Sequence, residues 1–434
     1  MNSTATPSAA LHRKIDLRLL PYLFALYVVA YLDRVNVSFA AHGLTQSLGF
    51  TSSVFGLGAG MFFAGYVLCE VPSNLILRRV GARLWIARIM VTWGLVACGM
   101  ALVHAAWSFH ALRFLLGVAE AGFLPGIIYY LTLWYPQKRR AHAVALFMAA
   151  TPVAGIIGAP LSGVLLEMHG TWGLEGWRWM FVLEGLPAVL LGFSVLWLLP
   201  NGPADARWLS PPEREILASE LAGNTEQEHG SWRVVLSTLL RDGRVWTLSA
   251  AYFSLCVGMY GLVMWMPTLI GEILGPQAGP MHVGLLSAIP YLGGVAGMVL
   301  VGRHSDKTGE RRWHTAGPLF VSAAGFLLSL APLGQWLGED LGPWWSLGCF
   351  TLSTLGLWGM LGPFWTIPTG FLSGAAAAGG VALINSIGNA GGFVGPTLVG
   401  MVRDATGSHR YGFLFIAVMM GLGGWCILRA TRRR

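Results

Sequence analysis

The sequence predicts an all-α polytopic membrane protein with twelve transmembrane helices in two six-helix halves. Three observations lead there. The chain has 434 residues, 55% apolar and only 11% charged, about half the charge of a soluble domain. Apolar runs of roughly 20 residues or more recur twelve times. The basic residues gather on alternate connections between those runs. The 58 glycines suit helices that pack closely within a bilayer.

The expected spans are residues 19–41, 53–77, 83–104, 107–133, 141–166 and 177–199, then 245–271, 282–301, 314–334, 343–370, 375–401 and 411–429. Proline and glycine inside several of them do not veto a helix, because neighbours in a bundle re-satisfy the freed backbone groups. Met1 to Ala10 is polar and small, and no cleavage site follows the first run, so no secretory signal is expected. Cys69, Cys98, Cys256, Cys349 and Cys426 all lie in apolar runs without metal-ligand spacing, which reads as packing.

Charge fixes the expected orientation. Basic residues precede the first span and follow spans two, four, six, eight and twelve, and these places hold 22 of the 28 Lys and Arg. Among the other connections several are neutral or acidic, as at Glu272 and Glu339–Asp340, and the connection after span ten carries no Lys or Arg. The positive-inside bias then puts both termini in the cytoplasm. The longest connection separates an N-terminal six-helix bundle (1–199) from a C-terminal one (245–434), leaving 200–244 as a cytoplasmic linker. Within it, Ser210, Pro211 and Glu213 form a capping-box pattern that predicts a helix to about Leu221. The basic, glycine-containing segments after spans two and eight echo one another, as parallel repeats of two halves would.

Charge also occurs where it is expensive. In YVVAYLDRVNVSF, Asp33 and Arg34 fall at mid-span. Ionisable groups survive there by facing a bundle interior or a water-filled path. In RFLLGVAEAGFLPG, Arg113 and Glu120 are seven residues apart, about 10 Å along one helix face. Two acids and two arginines at such depths point to movement of something charged. Arg34 offers a fixed planar cation that a carboxylate can grip with both oxygens. The alternative is a structural ion pair with Asp33, although adjacent helical residues point about 100° apart. Asp33 either titrates or holds Arg34 and the neighbouring helices.

Glu120 is the expected proton carrier, because a mid-span carboxyl is disfavoured when charged. Arg113 either stabilises and releases that carboxylate or makes an inert contact along its own helix. Gly117, Gly122, Pro125 and Gly126 soften the helix for a gate, or simply let it pack closely. Glu70, His42, His104 and Arg88 read as structural groups near span ends, and Glu167, Arg178 and Glu184 as helix-end stabilisers near the outer face. In VGRHSDKTGERR, Gly302 and Gly309 permit close approach or a tight turn. Asp306 there can accept from a helix N-terminus or from arginines such as Arg311, which would latch neighbouring helices.

That last motif resembles the loop signature of the major facilitator superfamily. The first-half copy, GYVLCEVPSNLILRRVGAR, has Asn74 and no aspartate in the loop. This departure is similar to the anion:cation symporter branch, where P-x-N precedes a basic patch and GAR. YLDRVNVSFA, RFLLGVAEAGFLPG, WYP with Arg140, GAPLSG, GWRWMFVLEGLPA and the run Thr369–Pro396 resemble that branch across essentially the full length. The branch includes bacterial tartrate, phthalate, hydroxyphenylacetate and sugar-acid permeases and, more distantly, sialin and vesicular glutamate transporters. The resemblance implies a major facilitator fold, a place in the bacterial cytoplasmic (inner) membrane, and a proton-coupling role for Asp33. It also brings Tyr31, Thr151, Trp365, Thr369, Asn385 and Asn389 to the substrate cavity, with aromatic surface from Tyr260 and Trp265. Asn385 and Asn389 share a helix face and either bind hydroxyls or join helices.

The sequence holds no phosphate loop, His-Glu-x-x-His, cysteine cluster or serine elbow. That leaves no expected catalytic residues, metal or cofactor, and an ion gradient as the energy source. The expected function is proton-coupled import of a small organic anion by a monomer without obligate protein partners. The runner-up is proton-driven export of amphipathic compounds or drugs, which the two cavity arginines serve poorly when the cargo is a lipophilic cation.

Overall fold

The computed structural model describes residues 7–222, 232–275, 277–331, 336–372 and 374–432. The first half contains α1 (Pro7–Leu48), α2 (Ser52–Val80), α3 (Ala82–Gly99), α4 (Ala106–Glu120), α5 (Phe123–Thr132), α6 (Gln137–Met148), α7 (Ala150–Leu166) and α8 (Gly176–Leu198). The connection carries α9 (Pro211–Ala222) and α10 (Trp232–Arg241). There follow α11 (Gly243–Val263), α12 (Met266–Leu274), α13 (Pro280–Thr308), α14 (Arg312–Leu330), α15 (Gly338–Gly359), α16 (Leu361–Thr369), α17 (Gly374–Thr406) and α18 (Arg410–Ala430).

Among the described residues, 11 helical stretches are long and apolar enough to cross a membrane. The 33-residue α17 occupies the place of the remaining expected span. Apolar side chains such as Leu190, Trp197, Leu300 and Trp425 face outward from the bundle, as lipid contact requires.

Several spans are built from two helices, and the sequence explains where they break. Between α4 and α5, Ala121 is extended and Gly122 takes φ +87°, a conformation open to glycine at little cost. Pro267 lies at the start of α12, where its missing N–H is harmless. The linker helix forms at the expected residues. The Ser210 amide donates to Glu213 Oε2 at 2.8 Å, one half of the capping box. Lys14 holds the same carboxylate at 2.8 Å, and Glu220 takes His12 and Ser8, so α9 is tied to the start of α1. Lys14 and the Ser210 amide hold the Glu213 carboxyl below its ordinary value.

The halves meet mainly through two helix pairs, α2 with α17 and α7 with α13. Small residues permit the approach. A Cβ on Gly400 would stand 2.2 Å from the Ser52 carbonyl oxygen, and one on Gly284 2.4 Å from that of Ala159. Polar bonds concentrate at the end of the bundle opposite the termini. Asp404 accepts from the Ser52 and Ser53 amides at 3.0 and 2.7 Å, completing the N-terminus of α2. Arg403 reaches Ser52 Oγ at 3.0 Å and Glu272 at 2.5 Å. Trp265 donates to the Pro396 carbonyl at 3.2 Å beneath them.

Candidate functional site

The α1 helix carries two polar stripes. Tyr27, Tyr31 and Arg34 follow a near i, i+4, i+7 spacing on one face, while Asp33 and Asn36 lie on another. The first stripe looks into the middle of the bundle. Arg34 is 7% exposed, and its guanidinium forms an ion pair with Glu120, itself 1% exposed. A second nitrogen donates to the Tyr260 hydroxyl at 3.3 Å, reaching across to α11 of the other half. The faces of Phe62 and Tyr66 flank the cation at 5.2 and 5.4 Å.

Glu120 is the last residue of α4, immediately before the break at Ala121–Gly122. The negative end of that half-helix dipole and the carboxylate repel each other, and Arg34 offsets both. The partner therefore differs from the one expected. Arg113, one heptad away, is fully buried and donates to the Gly58 and Ala59 carbonyls at 3.3 and 3.5 Å. The straight seven-residue face on one helix was the wrong geometry, because the carboxyl of Glu120 turns towards α1. The Phe62 ring, 5.1 Å from Arg113, lies against both guanidinium groups.

Asp33 turns away from Arg34. It accepts from the Trp93 indole N–H of α3 and from Asn36 Nδ2 at 3.0 Å. Of the other expected residues, Tyr31 is buried with its hydroxyl unbonded, and Thr151 accepts from the Trp358 indole at 3.4 Å. Half-buried Trp365 packs edge-on against Tyr252 at 4.9 Å. Asn385 donates to Glu70 Oε1, and Asn389 is buried one turn further along. Trp265 lies instead in the sealed end beside Phe55 and His409, because the α11–α12 break turns it there. The Thr369 side chain lies outside the described residues. In the loop, Gly309 caps α13 with φ +68°, and Asp306 binds Arg311 at 2.7 Å, the arginine alternative. Gly302 meets open space, and Glu310 takes the N-terminus of α14.

Two carboxyls expected to be structural groups near span ends are instead buried inside the bundle. Glu70, 4% exposed, accepts from Asn385 and Ser386 at 2.9 Å each and so bridges α2 to α17. Glu184, 3% exposed, accepts from Ser162 at 2.7 Å. Each is an acid inside an apolar run, and that signal was present.

Two halves of membrane helices, closed at one end around a buried ion pair that also touches both halves, define a carrier rather than an enzyme. The chain belongs to the Major Facilitator Superfamily, whose profile matches residues 23–396. A second profile, described as vacuole effluxer Atg22 like, matches residues 381–434. The chain is 48% identical to a putative tartrate transporter of Agrobacterium vitis, over 94% of this chain and 92% of that one. It is 40% identical to a quinolone resistance transporter of Acinetobacter baumannii, over 95% and 92%. Among solved structures, a bacterial homologue of the human lysosomal transporter Spinster, in an inward-facing and unoccupied conformation, has the same fold. That match has a TM-score of 0.77 and 17% identity, covering 95% of this chain and 96% of that one.

Proposed function

We propose that the protein imports a small organic anion together with protons, with Arg34 as the carboxylate anchor and Glu120 as the coupled acid. The observation that carries this is the Arg34–Glu120 ion pair. A substrate carboxylate and the Glu120 carboxylate compete for one guanidinium. Protonation of Glu120 removes the competitor and leaves Arg34 free to bind the anion. The Arg34–Tyr260 bond links that exchange to the opposite half, so loading bears on how the halves rock. Asp33, held apart from Arg34, serves as a second proton site. Asn385, Asn389, Tyr31 and Thr151 are assigned to the remaining polar groups of the anion. Residues 1–199 and 245–434 act as the two moving bodies around the linker, with Gly302, Asp306, Gly309 and Arg311 as a gating loop.

The basic residues on alternate connections support cytoplasmic termini in a bacterial inner membrane. In that orientation the bonds of Asp404 and Arg403 close the outer end. A tartrate-like hydroxy acid is the leading substrate class, in keeping with the tartrate relative. Export of amphipathic compounds is the second reading, and the quinolone resistance relative is what favours it.

Uptake of radiolabelled tartrate, hydroxyphenylacetate and a sugar acid into proteoliposomes, with and without an inward proton gradient, separates the two. Gradient-stimulated accumulation of one acid is the expected result. Accumulation of none, with gradient-driven efflux of a fluoroquinolone, would replace import by export.

A further inference from the structure

The second stripe of α1 leads to a carboxyl that the ion-pair mechanism leaves unused. Glu184 is 3% exposed on α8 and has one oxygen bonded to Ser162; the other has no bonded partner. Asn36, 1% exposed, lies within bonding reach of Glu184 and donates to Asp33 at 3.0 Å, while its own carbonyl oxygen is unbonded. Asn36 therefore stands between Asp33 and Glu184, and two polar atoms there, its own carbonyl oxygen and Glu184 Oε2, are left unbonded. Buried polar atoms are rarely left so, and each one calls for an explanation.

The groups facing Glu184 are few. On α1 they are Asn36 and Asp33. On α7 there is Ser162, and on α3 Cys98, whose thiol donates to the Val182 carbonyl at 3.6 Å. On α8 itself, Arg178 is engaged by Glu175 and the Ala101 carbonyl. Among the described residues no cation pairs with Glu184. With no cation to hold a fixed charge, its available chemistry is to accept and pass on a proton.

Its position gives that chemistry a direction. Glu184 lies eight residues from the start of α8, about 12 Å along the helix axis. Asp33 lies deeper, fifteen residues from the end of α1, about 22 Å. Above them, at the sealed end, is a depression of about 220 Å³ lined by Gly43, Gln46, Ser47, His169, Glu175 and Trp177. Its floor is Trp177, seven residues above Glu184 on the same face; Gly43 stands seven above Asn36. The Trp177 ring lies against Gly43, and its N–H holds Ser47 at 3.2 Å.

We infer that Glu184 is a proton-binding carboxyl on a route from this outer depression to Asp33, separate from the substrate path and with Trp177 as its plug. This rests on the proton-coupled reading above. The Glu184 acid gives its proton to the Asp33 carboxylate through an entering water that Asn36 bonds. The resulting Glu184 carboxylate takes a proton from the outer side, and no other species is consumed. Asn36 is a positioning residue. The route lets Asp33 exchange protons with the outside while the outer end is closed to substrate.

Glu184→Gln tests this, because the amide keeps the Ser162 bond and loses the titrating proton. The readouts are initial uptake of radiolabelled tartrate and hydroxyphenylacetate under an imposed proton gradient, and counterflow of the same acids without one. The route predicts that gradient-driven uptake falls about tenfold or more, while counterflow stays near wild type. Asn36→Leu, which leaves Glu184 and Ser162 in place, must give the same split. Gradient-driven uptake at the wild-type rate in either variant overturns the route while leaving proton coupling intact. Equal loss of uptake and counterflow in both folded variants overturns it too, since that places the residues on the substrate path. Failure of the wild type to respond to the gradient would instead sink the proton-coupled reading itself.

Discussion

Replacing Glu120 by Gln should tighten binding of the substrate anion while abolishing its accumulation. In the resting protein the Arg34 guanidinium is shared by the Glu120 carboxylate, the Tyr260 hydroxyl at 3.3 Å and two aromatic faces. An arriving carboxylate must displace the charge-assisted contact. A hydrogen bond to a charged group contributes about 1.5–3 kcal/mol net. In the Glu120→Gln variant the side-chain amide oxygen still accepts from Arg34 without a charge, so the lower part of that range applies. Removing the competitor should therefore strengthen tartrate binding roughly 10-fold, since 1.4 kcal/mol is a factor of ten. The empty variant should also unfold more readily, because the buried Arg34 charge is left uncompensated, and tartrate should restore its stability by more than it stabilises the wild type. Calorimetric titration of the detergent-solubilised protein on either side of neutral pH reads the affinity. Wild-type affinity should rise on acidification, and the variant should be pH-insensitive. Counterflow in proteoliposomes should persist while uphill uptake disappears. A variant that concentrates tartrate at the wild-type ratio, or that keeps the wild-type pH dependence of binding, would refute the competition and make Asp33 the principal coupling acid.

Arg34→Lys keeps the charge but loses the fork that spans Glu120 and Tyr260, so tartrate binding should weaken roughly tenfold or more in the same titration. Partial burial pushes the Asp404 carboxyl up, and bonds from Ser53, Thr51 and Ser52 outweigh it, holding it at about 2. A carboxyl depressed in this way supports the outer seal above its ordinary range and loses that role only as pH falls through about 2. Labelling of Thr397→Cys by an impermeant maleimide should then be flat across acidic and neutral pH and faster in Asp404→Asn. Gly117→Ala puts a Cβ 1.9 Å from the Phe62 carbonyl oxygen, a backbone clash that should cost about 1–3 kcal/mol and lower the unfolding midpoint, whereas Gly348→Ala, with open space around it, should not. Cysteines at Thr171 and at exposed Ser219, on a background lacking the native five, should label from opposite sides of the membrane.

The spans were legible because their signal is long: about 20 apolar residues outweigh any local irregularity. The α9 helix was legible because its signal is chemical, a proline and a glutamate at fixed offsets from Ser210. The break in the fourth span was half legible. Gly122 and Pro125 marked a soft place, but nothing in the sequence said that the chain would turn after Glu120. Rotational phase was the information missing elsewhere. Arg34 and Glu120 are 86 positions apart, and which face of α1 meets α4 depends on how two helices settle against others. Glu70 and Glu184 were assigned to helix ends by their distance from a span limit. Burial depends equally on which way a residue faces: Glu70 turns into α17 and Glu184 towards α1 and α7.

The placement of Glu70 bears on how the carrier moves. The outer closure depends on ends of helices, where Asp404 and Arg403 meet Ser52 and Glu272. Glu70 meets Asn385 and Ser386 eighteen residues further along α2, about 27 Å from that closure. A rigid rocking that opens the outer end must pivot between these two sets of bonds, and Arg34–Tyr260 is a cross-half bond made by a charged group of the proposed site. Glu120 holds that same arginine from the first half. In the proposed mechanism the group that binds the anion and the group that senses its rival carboxylate are thus one side chain, placed where the two halves touch. On that mechanism loading has Arg34 exchange one carboxylate for another while its bond to Tyr260 reports the exchange to the second half.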